Sequence, residues 1–367
     1  MKPDFCAIAS QQIGEDLIGT AGHYQTYVLI ECPLPWAAKV FDSANIPLTL
    51  RQYIKAIKAE RSVQFLAINR GASASSASVT LMIYERTGPS GEHFSADESI
   101  EGYRGYEFPL NDLTQVVDCL KAYWQGDFPR ERRRGQPITQ QDILICTHGV
   151  RDRCCARFGN PFFRAATQSV LQGELPNVRL WKVSHIGGHR FAPTAISLPD
   201  GRYYGRLTLS ALQAIVTRRG SIHQLCSVYR GWGLLPAPLQ ILERQLMLQH
   251  GWSWFEHRVT YRILLEEASS QPDDSLALRL SQGEVSVEIS VSPISVATGE
   301  NLIKSNETSV QALTYRAKLT QDIQKTVWVK SSCSSAIATP AVKYTVTECV
   351  LMADPQPSWS ISGFGTR

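Results

Sequence analysis

Within residues 146–189 of this 367-residue chain fall three cysteines and three histidines: Cys146, Cys154, Cys155, His148, His185 and His189. Sulfur and imidazole donors of this kind suit Zn²⁺ or an iron–sulfur cluster with mixed ligation. They lie in two segments. The first runs Cys146-Thr147-His148-Gly149-Val150-Arg151-Asp152-Arg153-Cys154-Cys155, and the second Ser184-His185-Ile186-Gly187-Gly188-His189-Arg190. His185 and His189 have the spacing of a structural zinc pair, but Cys146 and Cys155 stand too far apart for one. Gly187 and Gly188 argue against a helical histidine pair, since two adjacent interior glycines cost a helix about 2 kcal/mol. The glutamate of an H-E-x-x-H zinc protease is missing. A long first loop and a glycine-flexible second loop suit a larger inorganic core with two ligands on each metal, and zinc remains the competing ion.

Both segments follow strands, which is where functional loops are usually carried. Asp142–Cys146 and Val178–Val183 read as buried strands, and if they are neighbours both loops reach the same end of a sheet. Asn160-Pro161 reads as a cap and first-turn proline opening a helix to about Leu171. Strands follow at Thr194–Leu198 and, after the Asp200-Gly201 turn, at Tyr203–Leu207. A helix from Leu209 to about Arg218 ends at Gly220.

The first 130 residues show the same order of elements. Strands are expected at Thr26–Cys32, Val63–Ile68, Val79–Tyr84 and Tyr103–Phe108. Helices are expected at Leu48–Glu60 and, from a cap at Asn111, to Trp124. Cys32 and Cys146 end the first strand of their blocks. Gly71–Ser78 reads as a turn, and the basic stretch Phe128–Gly135 as a solvated linker rather than a nucleic-acid patch. After Trp232 one helix, Leu239–His250, precedes antiparallel strands with strict alternation at Val285–Val291 and Leu313–Leu319, and a third at Val342–Val350. Ser331–Ser335 reads as an irregular link, with no chemistry-bearing motif in this region. The expectation is an α/β protein in three parts: sheet-and-helix domains at 1–135 and 136–232, then a helix with antiparallel strands at 233–367.

Composition narrows the function. The 37 Lys and Arg barely exceed the 33 Asp and Glu, too small a surplus for a dedicated nucleic-acid binder. No apolar run approaches the roughly 20 residues of a membrane helix, and the N-terminal residues lack the apolar core of a secretory signal. Nine cysteines, an odd number spread thinly, fit reduced thiols in a cytoplasm better than a disulfide framework. Cys6, Cys119, Cys226, Cys333 and Cys349 stand alone in the sequence and read as inert.

The pattern C-x-H-x-x-R-D-x-x-C, then H-x-G-G-H, then Asp200-Gly201-Arg202-Tyr203-Tyr204-Gly205-Arg206, resembles the sucrase/ferredoxin-like family. Gly19-Thr20-Ala21 and Tyr27–Trp36 resemble its N-terminal half, so the likeness covers roughly residues 6 to 235. The resemblance implies a thioredoxin-like fold holding a 2Fe–2S cluster; the repeated order of elements makes the two blocks tandem domains of this kind, and the first is expected to be clusterless because Cys32 has no His-x₃-His partner downstream. It implies Cys146 and Cys155 as ligands of one iron, His185 and His189 of the other. Family spacing favours Cys155 over its neighbour Cys154, which becomes a buried small residue or a reactive neighbour. His148, Arg151, Asp152, Cys154 and Arg190 are expected around the ligands. Arg151, Arg153, Arg157, Arg164, Arg190 and a helix N-terminus add positive potential that favours thiolate.

Two thiolates and two neutral imidazoles leave an oxidised 2Fe–2S core neutral, whereas four thiolates leave it at about −2. Its reduction potential is therefore expected above that of four-cysteine ferredoxins. A ligand imidazole keeps one ring N–H, so electron uptake is expected to couple to proton uptake at alkaline pH. The expected role is a single-electron carrier for a redox partner protein, with no nucleic acid and no membrane. No sequence-local pair of carboxylates stands out for glycoside hydrolysis. A Cys₂His₂ zinc protein is one rival. A thiol–disulfide protein using Cys154 and Cys155 is the other, disfavoured by the lack of a C-x-x-C motif.

Overall fold

The computed structural model describes residues 5–71, 78–87, 100–125, 135–264, 284–294 and 312–352. The first half supplies β1 (Thr26–Glu31), β2 (Val63–Asn69), β3 (Val79–Arg86), β4 (Tyr103–Leu110) and the short β5 (Gln136–Pro137). The second half supplies β6 (Gln141–Cys146), β7 (Val178–Val183), β8 (Ala195–Leu198), β9 (Arg202–Tyr204) and β10 (Tyr229–Trp232). All ten join one mixed sheet in the order β10-β9-β8-β6-β7-β2-β1-β3-β4-β5.

The halves have the same internal pairing. β1 runs parallel to β2 and antiparallel to β3, while β6 runs parallel to β7 and antiparallel to β8. They meet where β2 and β7 pair antiparallel through Ile68↔Val183 and Asn69↔Lys182. The strand order is repeated outward from this seam, β2-β1-β3-β4 on one side and β7-β6-β8-β9 on the other.

β1 is buried along nearly its whole length because both sheet faces are covered. Val28 and Ile30 pack under α2 (Leu48–Glu60) and α3 (Val116–Gln125), while Tyr27 and Leu29 point into the core of the opposite face. In α2 the inward side chains are Leu50, Ile54 and Ile57, spaced by helical turns. The second half is covered by α4 (Asn160–Leu171) and α5 (Leu209–Thr217). A short helix α1 (Cys6–Gln12) precedes β1.

α6 (Ala237–His250) leads to a separate antiparallel sheet of β11 (His257–Leu264), β12 (Glu284–Pro293), β13 (Leu313–Lys330) and β14 (Ala338–Leu351), in that order. Alternating Val285, Val287, Ile289 and Val291 point inward and share the large core of the ten-stranded sheet. Buried Glu243 of α6 accepts from Arg202, from Tyr229 Oη at 2.9 Å and from Trp254 Nε1 at 2.7 Å, fastening the helix to β9 and β10. A buried charge is tolerable only when met in this way.

Four helix ends differ from the sequence reading, and α6 is one of them, beginning at Ala237 rather than Leu239. Asp112, not Asn111, caps the second helix, its carboxylate accepting from Thr114 N at 2.7 Å. Asn160 has helical backbone angles and is no cap: helical structure begins upstream, through a π-turn at Cys155–Gly159. Pro161 has no N–H to give an α-helical bond, which favours a widened turn there. α5 ends on Arg218 in the left-handed region rather than on Gly220. α1, β10 and β11 were not foreseen. Residues 72–77 of the expected turn and 128–134 of the basic stretch lie outside the described residues.

Candidate metal centre

Because β6 and β7 are parallel neighbours, the loops that follow them leave the same end of the sheet. One ligand atom each from Cys146, Cys155 and His185 lies within 4.8 Å of the others. Cys155 Sγ is 3.8 Å from His185 Nδ1, and His185 Nε2 is 3.4 Å from His189 Nδ1. Cys146, Cys155 and His185 therefore meet, and His189 joins them only through its contact with His185. Cys146 and Cys155 are buried and the two histidines half-buried.

Each loop is held by the element before it. Cys146 N donates to Thr194 O at 3.0 Å and Thr147 N to Val183 O at 3.2 Å. Gly159 is needed because a Cβ there would sit 2.0 Å from Cys146 O. Across the seam, Ser184 N donates to Ala67 O at 2.8 Å and Ser184 Oγ accepts from Ala67 N at 3.1 Å, so β2 of the first half sets the residue before His185.

Gly187 and Gly188 both adopt positive φ, at 77° and 70°. A Cβ on Gly188 would lie 2.5 Å from the guanidinium carbon of Arg230. Arg230, on β10 and 2% exposed, donates to Gly187 O at 3.2 Å and to Thr20 O at 2.6 Å. Burial draws its pKa down to about 10, while the Cys146 charge acts in the opposite direction. It remains a cation at neutral pH, a buried positive charge that feels the charge of Cys146. Sequence reading passed over it, because a lone arginine outside both loops carries no spacing signal.

The remaining residues divide by contact. His148 Nε2 donates to Ala37 O at 2.8 Å, Nδ1 accepts from His185 N at 3.3 Å, and burial keeps the ring neutral. Asp152 accepts from Cys154 N at 2.8 Å and Cys333 N at 3.0 Å, and lies 3.6 Å from His189 Nε2. Cys154 is fully buried and turns from Cys155 toward Cys6 and Cys333. Arg190 pairs with buried Glu15 at 2.9 Å, so its charge is already compensated. Arg151, Arg153, Arg157 and Arg164 are exposed.

His189 Nε2 donates to Ser331 O in the turn between β13 and β14, leaving Nδ1 as the lone pair that faces His185. That turn, read as an inert link, covers the site. The neighbouring Cys155 thiol, with His185, holds the Cys146 thiol well below its usual range, while Cys146 and burial push Cys155 up. The arrangement is a sulfur pair facing the His185 imidazole, with His189 against the other nitrogen of that ring.

A large mixed sheet with helices packed on it defines an α/β protein, and its adjacent loops carry a Cys/His group that could hold a metal ion. The chain belongs to the sucrase/ferredoxin-like family, whose model matches residues 17–231, from the segment before β1 nearly to the end of β10. It is similar to altered inheritance of mitochondria protein 32 of Meyerozyma guilliermondii, with 33% identity over 110 residues, 29% of this chain and 38% of the relative. The protein of the same name from Clavispora lusitaniae is 36% identical over 83 residues, 22% of this chain and 30% of that one. The matched stretches therefore span well under half of these relatives. No solved structure matches. No helix among the described residues is long and apolar enough to cross a membrane.

Proposed function

We propose that the chain is a single-electron carrier whose 2Fe–2S cluster is held by Cys146 and Cys155 on one iron and His185 and His189 on the other. The observation that carries this reading is the meeting of Cys146, Cys155 and His185 within 4.8 Å, with His189 Nδ1 3.4 Å from His185. The donor set fits: soft sulfurs on one loop, imidazoles on the other, and His189 fixed from outside by Ser331 so that its free nitrogen faces inward. Such a cluster supplies one-electron chemistry near or above the range of four-cysteine ferredoxins.

The chain's own residues do three things. Cys146 offers a thiolate, Arg230 offsets its charge from within the core, and the β13–β14 turn screens the histidine side. The N–H of His189 that meets Ser331 is a proton the site can hold or release. We infer a midpoint potential that falls as pH rises through the alkaline range; a flat potential there would contradict this.

The pairing β9-β8-β6-β7, with β6 parallel to β7, supports a thioredoxin-like sheet for this half, and β4-β3-β1-β2 supports the same for the other. Among the described residues Cys32 joins no Cys/His group, so we infer that the first half carries no cluster. A redox partner protein and a reducing compartment complete the proposal. The relatives' names refer to mitochondria, so fractionation of tagged protein decides between cytoplasm and that organelle.

The test is anaerobic purification with iron and acid-labile sulfide analysis. A red-brown protein with about two irons per chain, bleached by dithionite, is the expected result. A colourless protein whose zinc is lost on Cys146→Ser would replace the cluster with a zinc site.

A further inference from the structure

Close to the group just described, a second set of ligand-type side chains meets: Cys6, Asp152, Cys154 and Cys333, of which Asp152 also lies 3.6 Å from His189 Nε2. They come from three distant stretches of chain. Cys6 opens α1, Cys154 precedes the π-turn, and Cys333 lies in the turn between β13 and β14. Their sulfurs form a nearly regular triangle. The Sγ–Sγ distances are 3.5 Å for Cys6–Cys154, 3.2 Å for Cys154–Cys333 and 3.5 Å for Cys333–Cys6. Cys6 and Cys154 are buried, Cys333 is half-buried, and Phe5, Phe158, Ala7 and Ala192 pack around them.

We propose that this is a second, separate metal site, in which Cys6, Cys154 and Cys333 with Asp152 hold a structural zinc ion. Three mutually touching thiols gain little from one another, because S–H is a weak donor and sulfur a weak acceptor. As thiolates around a divalent soft-to-borderline cation they form one of the strongest sites a protein can build.

The geometry is already close. With Zn–S bonds of about 2.3 Å, tetrahedral ligation separates sulfurs by about 3.8 Å and planar three-coordination by about 4.0 Å. The observed triangle is tighter than either and so lies nearer the tetrahedral arrangement, which needs a fourth ligand. Asp152 offers an oxygen within 4.8 Å of the three sulfurs. Its carboxylate is oriented by the backbone N–H groups of two of the ligand residues, Cys154 at 2.8 Å and Cys333 at 3.0 Å, as outer contacts usually orient a metal ligand. A disulfide between two of the cysteines would leave the third thiol and this carboxylate without purpose. Each sulfur binds as thiolate, so binding releases the thiol protons to solvent and changes no oxidation state.

The ion would tie α1, the metal loop and the β13–β14 turn together, closing the chain between Cys6 and Cys333. Cys154 and Cys155 then serve different metals, which gives the adjacent pair a physical reason.

Elemental analysis of the full-length protein tests this. About one zinc per chain is expected. Cys6→Ser and Cys333→Ser are each expected to reduce zinc occupancy by about tenfold or more under a competing chelator, while Cys6→Ser keeps its iron and visible absorption. The proposal is overturned by wild-type protein that takes up no zinc even after incubation with zinc chloride. It is equally overturned by zinc that stays in the Cys6→Ser, Cys333→Ser double variant, or by a disulfide among these three cysteines in protein isolated without oxidant. Zinc and iron are counted separately, so an iron-free protein with this zinc refutes only the electron-carrier reading, and a zinc-free iron protein refutes only this one.

Discussion

Replacing sulfur by oxygen separates the roles of three neighbouring cysteines. Cys146→Ser and Cys155→Ser are expected to lower bound iron and sulfide about tenfold or more. Cys154→Ser is expected to keep both, because its sulfur faces Cys6 and Cys333; loss of iron there would give the ligand role to Cys154. The two Cys/His loops were legible in the sequence because their residues lie close together along the chain, and the family resemblance singled out Cys146, Cys155, His185 and His189 within them. Cys6 and Cys333 were not, since 327 residues separate them and no periodic pattern records that they meet. Arg230 was hidden for the same reason: its partners Thr20 and Gly187 stand 210 and 43 residues away.

Elements place these side chains, and two small residues test how. Gly159→Ala in an exposed helix would be mildly stabilising. Here the added Cβ meets Cys146 O at 2.0 Å, so a loss of about 1–3 kcal/mol in thermal or denaturant unfolding is expected. A gain would mean that the π-turn does not press on the metal loop. Ser184→Ala leaves Ala67 N–H without its side-chain acceptor and should cost about 1–3 kcal/mol. Iron affinity should fall with it, since the next residue is His185; stability lost without any change in iron binding would uncouple β2 from the site. Strands and helices with clear periodicity, such as Leu48–Glu60, are where the sequence said they would be. The helix start near Asn160 was misread because Asn-Pro is a cap signal by residue type, and the upstream turn depends on packing against Cys146.

Across the whole molecule, the ten-stranded sheet, α6 and the second sheet share one continuous core. We therefore expect residues 1–135, 136–232 and 233–367 to unfold in one cooperative transition, and well-separated calorimetric transitions would refute this. Acid acts through the pairs that bind these parts together. Asp16, before β1, meets Arg244 of α6 at 2.8 and 2.7 Å. Burial pushes its carboxyl up, but the guanidinium outweighs burial and holds it below the usual range. A depressed folded value gives stability that is present above the unfolded value of about 3.9 and is lost as pH falls through the folded one. Arg244→Gln should therefore move the acid-unfolding midpoint to higher pH; an unmoved midpoint would show the pair to be idle.

The short seam between β2 and β7 carries one more implication. Two like halves meeting edge to edge is how the subunits of a symmetric dimer extend a common sheet. With both halves in one polypeptide, the pair need not stay equivalent. The loop after β1, where Cys32 joins no Cys/His group among the described residues, gives its Ala37 carbonyl to His148 and becomes a wall of its sibling's site.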